Sequence, residues 1–295
     1  MSAEPSPQLI FGEVLFDVFP NGQRVLGGAP FNVAWNLHQL GEPVCFVGGI
    51  GNDPAGAEVQ ARMDAIGMDT RGLYRHPKVP TGEVRVELAH GEPSYTIVPD
   101  QAYDDVPAAW ADGLPASTPL LYHGTLALRR GNHDLLARLR ERAGHRFVDV
   151  NLRDPWYTRD TTLDLIRDAD VVKLNQDELA TLVPGAADEE AEKTTLLAQA
   201  GIRQALVVTA GADGAIIQTV EGERVAAPAP SVPELRDAVG AGDAFASVVL
   251  LGMRQGWDWP TILERALAFA AAVCTLQGAT SDDPDFYRDA RIHWD

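Results

Sequence analysis

The residues with the most chemical content lie in the string Asp237-Ala238-Val239-Gly240-Ala241-Gly242-Asp243-Ala244-Phe245. Two glycines around an alanine let the backbone approach a ligand closely. The stretch that follows, Ala244 to Leu251, is mostly apolar and reads as a helix. A helix N-terminus carries free amides and the positive end of its dipole, so the string reads as an anion site. Asp243 falls in the first turn of that helix, where a carboxylate would repel a bound phosphate. Taking the proton from a hydroxyl during phosphoryl transfer is one task that accounts for the position. Capping the helix is the other.

Five further groups carry weaker signals. Gly27-Gly28-Ala29-Pro30-Phe31-Asn32 is a tight glycine loop, with Asn32 near a helix start where it can bond a polyol. Asp17 ends an apolar run and is either a ligand for vicinal hydroxyls or a turn residue. Asn175 and Glu178 follow the apolar run Val171 to Leu174 and suit either the organisation of a hydrated Mg²⁺ or a helix capping box. Thr209, Gly211 and Gly214 form a glycine-rich turn at a strand end, where open α/β sheets bind ligands. Arg153, close behind Asp149 and Asn151, suits a phosphate oxygen or a surface salt bridge.

Some chemistries are excluded. Gly49-x-Gly51 begins like a dinucleotide fingerprint, but Pro54 stands where the third glycine belongs. No lysine completes a Walker A loop, and protein-kinase motifs are absent. A nucleoside triphosphate would have to be held another way. The net charge of −18, with no basic run longer than Arg129-Arg130, argues against nucleic acid. Lysines are confined to Lys78, Lys173 and Lys193. Cys45 and Cys274 sit in apolar surroundings, fit no metal spacing and read as buried free thiols. Met1 to Gln8 has no basic, apolar leader pattern and no long apolar span follows, so the expectation is a cytoplasmic protein without a membrane partner.

The elements that position these residues follow from hydrophobic period. Leu9 to Val18 reads as one strand, Asn32 to Leu40 as a helix, Val44 to Ile50 as a buried strand, and Asp53-Pro54 opens a helix to about Ile66. Glu83 to Leu88 alternates polar and apolar, His90-Gly91-Glu92 supplies a turn and Ser94 to Val98 returns, a hairpin with one wet face. Beyond Pro115, strands at 120–123, 147–150, 171–174 and 206–209 alternate with helices at 134–143, 163–167 and 177–183. A hairpin at 215–226 and helices at 242–252 and 261–276 close the chain. That alternation implies a mostly parallel sheet covered on both faces. With 295 residues and 45% apolar content, one large α/β domain is expected over 1–295.

Taken together, these residues resemble the ribokinase-like (phosphofructokinase B) family of carbohydrate kinases over almost the whole chain. Gly27-Gly28-x-x-x-Asn32-Val33-Ala34 is similar to its N-terminal sugar element, Val47-Gly48-x-x-Gly51-x-Asp53-x-x-Gly56 to its first signature, and Asp237 to Asp243 to its second. The resemblance implies a three-layer α/β fold with a mostly parallel central sheet and a small β lid, formed mainly by about 14–27 and 79–100. It implies ATP and Mg²⁺ as cofactors and a small sugar as substrate. Asp17, Gly27, Gly28, Asn32 and Arg153 would bind substrate. Asn175, Thr209, Gly211 and Gly214 would line the nucleotide, and Glu178 would hold Mg²⁺ through water. Gly240, Ala241 and Gly242 would form an anion hole beside the base Asp243. Relatives often bind a monovalent cation such as K⁺ next to this loop, where Asp237 and Gly278-Ala279 match, although Ala238 replaces a common Thr or Ser. The lid often dimerises in the family, so a homodimer through it is expected. Gly-Gly-Ala-Pro followed by Asn-Val-Ala looks most like bacterial fructokinases, with Arg85 and Tyr95 as lid contacts. A kinase for 2-keto-3-deoxygluconate, ribose or a nucleoside, or a catalytically silent sugar- or nucleotide-binding regulator, are the alternatives.

Overall fold

The structure is a computed structural model, and it describes residues 6–89, 92–292 and 294. The chain opens with strands β1 (Gln8–Phe11), β2 (Leu15–Val18) and β3 (Arg24–Gly27), then helix α1 (Ala29–Gln39). Strand β4 (Val44–Gly51) leads to α2 (Pro54–Ala65), β5 (Leu73–His76) and the hairpin β6 (Gly82–Ala89) and β7 (Glu92–Ile97). Strand and helix then alternate through β8 (Thr118–His123), α3 (His133–Arg140), β9 (Ala143–Asp149), α4 (Arg159–Ile166) and β10 (Val171–Asn175). They continue as α5 (Gln176–Leu182), α6 (Glu189–Ala200), β11 (Ala205–Thr209), β12 (Ala215–Thr219) and β13 (Arg224–Ala227). Helices α7 (Ala241–Gln255), α8 (Trp259–Val273) and α9 (Pro284–Arg291) complete the fold.

A nine-stranded sheet runs in the order β13-β12-β11-β10-β9-β8-β1-β4-β5. From β5 to β11 every neighbouring pair is parallel, and β12 and β13 add an antiparallel edge. Alternate residues of each strand face opposite layers. Ile10, Phe46, Tyr122, Phe147 and Val171 pack toward the side of α1, α7 and α8. Leu9, Val47 and Leu121 pack with α3, while Val148, Val172 and Leu206 pack with α4, α5 and α6. Both faces are therefore dry, which is why the strands read as nearly continuous apolar runs.

The run from Leu9 to Val18 is not one strand. It breaks at Gly12–Val14, and β2 joins a separate four-stranded sheet, β3-β2-β6-β7. Both halves are largely buried, so an apolar run records burial here rather than continuity. In the small sheet β2 and β6 are parallel, while β3 and β7 are antiparallel to their neighbours. Of the turn expected at His90-Gly91-Glu92, His90 and Gly91 lie outside the described residues, as do Met1 to Pro5. The helix expected at 134–143 stops at Arg140, and β9 starts at Ala143.

The first signature segment is architecture. Asp53 caps α2 by accepting from the Gly56 amide at 2.8 Å. Its other oxygen accepts from the Thr81 amide at 2.8 Å, and the Thr81 hydroxyl donates to the capping oxygen at 2.7 Å. The Gly51 amide donates to that same hydroxyl at 2.9 Å. The end of β4 is thus clamped to the residue that enters β6, which ties the small sheet to the large one. Although desolvation works against it, these hydrogen bonds hold the Asp53 carboxyl below its ordinary value.

Candidate active site

The carboxyl ends of β1, β8, β9, β10 and β11 share one edge, and the expected site residues gather there. Helix α7 begins at Ala241 after Gly240, whose φ of +81° is left-handed. A side chain at Gly240 would also collide with Ala279, so only glycine closes this turn. Asp243 does not cap the helix, because α7 has no side-chain capping bond. Its Oδ2 accepts instead from Asn32 Nδ2 at 2.8 Å, across 211 residues of chain. Desolvation, reinforced by the charge of Asp149, pushes the Asp243 carboxyl up to about 6 against the bond from Asn32 and the charges of Lys173 and Arg153.

Asn32 stands in the first turn of α1, which starts after Gly28. Gly28 has φ +107°, and a Cβ there would fall 2.6 Å from the Glu13 carbonyl oxygen, which requires glycine. The Oδ1 of Asn32 is buried and has no partner. A Cβ on Gly27 would lie 3.9 Å from that oxygen and 3.8 Å from Asp17 Oδ2. Gly27 therefore keeps open a small space edged by Asp17 and the free oxygen of Asn32. Burial pushes the Asp17 carboxyl up to about 6 while Arg153 pulls it down. Arg153 is exposed, its side chain bonds only its neighbour Leu152 among the described residues, and its charge acts on Asp17, Glu13 and Asp243.

Beside α7 lies a cleft of about 1000 Å³. Asn175, Thr209, Gly211 and Gly214 line one side, and Ala241 and Gly242 line its end toward Asp243. Asn175 and Glu178 do form the capping box, with the Asn175 amide donating to Glu178 Oε2 at 2.8 Å. The Leu152 amide donates to the other oxygen, Oε1, at 2.7 Å. Desolvation raises the Glu178 carboxyl despite these bonds. Asp237 accepts from the amides of Val239 at 3.0 Å and Gly278 at 3.2 Å, pinning the glycine turn to the segment before α9.

Several site groups were not anticipated from sequence. Ala229–Val232, Leu235 and Ala271 also line the cleft. Lys173 and Asp149 form a buried ion pair beneath Gly242. Glu13 is buried behind Gly28, its Oε2 has no partner, and desolvation pushes its carboxyl up to about 7. Cys45 is buried as expected, with its thiol pushed up to about 12. Cys274 departs from expectation: it is only half-buried, at the rim of the cleft.

The pattern of the pfkB family carbohydrate kinase matches residues 9–285. The chain belongs to that family. A fructokinase from Vibrio alginolyticus is 28% identical over 93% of this chain and 95% of its own. Aminoimidazole riboside kinase from Salmonella typhimurium is 29% identical over 93% and 91%. Among solved structures, a fructokinase from Xylella fastidiosa with bound ATP superposes with a TM-score of 0.83 at 24% identity, covering 97% of this chain and 98% of that one. A double mutant of the Vibrio cholerae O395 fructokinase, with fructose, ADP and potassium ion bound, gives 0.79 at 25% identity over 98% and 99%. The pfkB chain described here thus has a ribokinase-like α/β fold with an added small sheet, and its family is one of phosphotransferases acting on carbohydrates. Among the described residues no helix is long and apolar enough to cross a membrane.

Proposed function

We propose that the protein transfers the γ-phosphoryl group of ATP to a hydroxyl of a small sugar, with fructose first among the acceptors and Asp243 as the base. The observation that carries this reading is the pair of roles held by Asn32. Its Nδ2 donates to Asp243, and its buried Oδ1 faces the space beside Asp17 with no partner. A buried acceptor without a donor is costly. A sugar hydroxyl entering that space would satisfy it and bring a neighbouring hydroxyl toward the base.

In this reading ATP lies in the cleft between Thr209 and Leu235, with its γ-phosphoryl against the amides of Gly240 to Asp243. Asp17, Gly27, Gly28 and Asn32 hold the sugar, and Arg153 steadies negative charge from the rim. The attacking hydroxyl gives its proton to Asp243 as its oxygen bonds to the γ-phosphorus and the bond to ADP breaks. Positioning and fixed dipoles supply most of the acceleration. The four-stranded sheet is the lid, roughly 14–27 and 79–100, and its exposed Tyr95 lies on the surface that would pair in a homodimer.

Among the described residues no group of three His, Cys, Asp or Glu could by itself cage a metal. The donors present fit a hydrated Mg²⁺ held on the phosphates, with Glu178 and Asn175 ordering its waters. Bound there, Mg²⁺ would neutralise phosphate charge. The Asp237–Gly278 junction is where K⁺ would sit.

The test is ADP release with ATP, Mg²⁺ and K⁺ across D-fructose, ribose, 2-keto-3-deoxygluconate, aminoimidazole riboside and adenosine. Turnover on fructose above the others is expected, and Asp243→Asn should lower kcat by about 10²–10⁴-fold. Turnover on another acceptor changes the substrate and keeps the mechanism. ATP binding without ADP from any acceptor would favour a silent regulator, and near-normal turnover in Asp243→Asn would remove the base.

A further inference from the structure

Lys173 breaks the apolar pattern of β10. Val172 and Leu174 point toward α4, α5 and α6, whereas Val171 lies in the opposite layer, on the side of α7. Strand alternation places Lys173 on that α7 side. Asp149, its parallel neighbour on β9, and Tyr122 on β8 share that side. Lys173 is 7% exposed, and its Nζ donates to both oxygens of Asp149, at 2.9 and 2.8 Å. Tyr122 donates to the same carboxylate at 3.3 Å. An ammonium has three N–H groups, so one remains beyond the two that Asp149 takes.

The place of that nitrogen is informative. A Cβ built on Gly242 would lie 3.6 Å from Lys173 Nζ, and Gly242 is exposed to the cleft. The ammonium therefore sits directly under the turn assigned above as the anion hole. The groups whose charges act on it are Asp149 in contact, then Asp243 and Glu178. Burial works against its charge, but Asp149 outweighs burial and the lysine stays protonated. A buried ion pair is a weak stabiliser, and apolar residues of like volume often replace one without loss. Stability alone is a poor reason to bury a lysine here, at the carboxyl edge among three carboxylates.

We propose that Lys173 is part of the phosphoryl site: it sets a fixed positive charge behind the Gly240–Asp243 turn and gives its remaining N–H to an oxygen of the phosphoryl group in transfer. Asp149 aims the ammonium, and Tyr122 holds Asp149. This rests on the kinase reading above. The acceptor oxygen bonds to phosphorus, the bond to the ADP oxygen breaks, and the hydroxyl proton passes to Asp243. Lys173 keeps its own proton throughout. Charge that spreads over the equatorial oxygens meets a donor already in place.

The experiment compares wild type, Asp149→Asn, and Asp149→Asn combined with Lys173→Gln. The double variant keeps a neutral hydrogen-bonded pair, so Asp149 is not stranded as a buried charge. If it does not fold, Asp149→Leu with Lys173→Met serves in its place. Relative to Asp149→Asn, the double variant is expected to lose roughly 100-fold in kcat, the usual worth of one such donor, with sugar KM little changed. Affinity for ADP with Mg²⁺ and aluminium fluoride, a mimic of the phosphoryl group in flight, should fall at least ~10-fold while affinity for ADP alone holds. A purely structural lysine would move the melting temperature and leave these ratios alone. A folded double variant with the kcat and mimic affinity of Asp149→Asn overturns the proposal. Wild type that turns over no acceptor but binds the mimic counts against the sugar-kinase reading, and the mimic comparison still decides Lys173. Wild type that binds neither ADP nor mimic ends both.

Discussion

Replacing Asn32 with alanine separates two jobs that the structure gives one side chain. Asn32 Nδ2 donates to Asp243 Oδ2 at 2.8 Å, and that bond favours the ionised carboxylate. With it in place the Asp243 carboxyl stands at about 6, raised chiefly by desolvation and next by Asp149. A hydrogen bond to a charged group is worth about 1.5–3 kcal/mol, and one pK unit corresponds to about 1.4 kcal/mol. Asp243 keeps part of its surface exposed, so water replaces some of the lost bond and the lower figure applies. The carboxyl of the variant should then titrate about one unit higher, near pH 7. The assay is kcat/KM for the sugar against pH, which reports groups of the free enzyme. Wild type should lose activity as pH falls through about 6, because a base must be deprotonated, and Asn32→Ala should do so through about 7. Loss of the Oδ1 contact to the sugar should also lower the whole curve by roughly tenfold at every pH, a vertical change distinct from the horizontal one. A variant whose acid limb coincides with that of wild type would refute the assigned hydrogen bond. A wild-type limb near the ordinary aspartate value would refute the desolvation argument.

Two further perturbations test the frame around the site. The Glu13 carboxyl rises from 4.5 to about 7, so the folded state binds more protons than the unfolded one between those values, and stability declines as pH rises through that window. Glu13→Gln should relieve nothing below the lower value and on the order of 3 kcal/mol above pH 7, read as a melting-temperature gain that grows between those values and levels off above pH 7. Thr81→Val removes the hydroxyl that donates to Asp53 and accepts from Gly51, and should cost about 2 kcal/mol. If the clamp holds the lid as assigned, sugar KM should rise with it, and an unchanged KM at lowered stability would separate the clamp from the lid.

What the sequence carries well is the strongly apolar strands and the capped helices. Strands β10 and β11 have no polar interruption except Lys173, and their boundaries were readable to within a residue or so. The caps of α2 and α5 were visible as Asp53-Pro54 and Asn175-x-x-Glu178. Elements that bury little were missed. Strand β5 is an edge strand reading Leu-Tyr-Arg-His, and α6 starts with a run of acids and buries only Lys193, Leu196 and Ala200. Helix α9 is polar and anchored by Tyr287, whose hydroxyl donates to Asn36 from 251 residues away. The same limit applied to the site. Each signature announced itself through glycines, but the bond that joins Asn32 to Asp243 is tertiary and leaves no local trace. Lys173 does leave one, as a lone cation in an apolar strand, but its pairing with Asp149 and its place under Gly242 are tertiary.

The charges of the site also have an internal logic. A triphosphate in the cleft would end at a turn behind which Asp243, Asp149 and Glu178 act together on Lys173, with Glu13 acting on Asp243's side of the site. Against these stand Lys173, already paired with Asp149, and Arg153 at the rim. Side chains alone leave this region negative, so much of the attraction for phosphate would come from backbone amides at the α7 turn and from cations that arrive with the nucleotide. The arrangement suits a transfer reaction better than storage of nucleotide. Raised carboxyls at Asp243 and Asp17 sit close to the point of titration and respond to the charge of what binds beside them. On the proposed reading, the surplus of acid would let Asp243 accept a proton readily, while Lys173, fixed by Asp149, would keep its positive charge where the phosphoryl group passes.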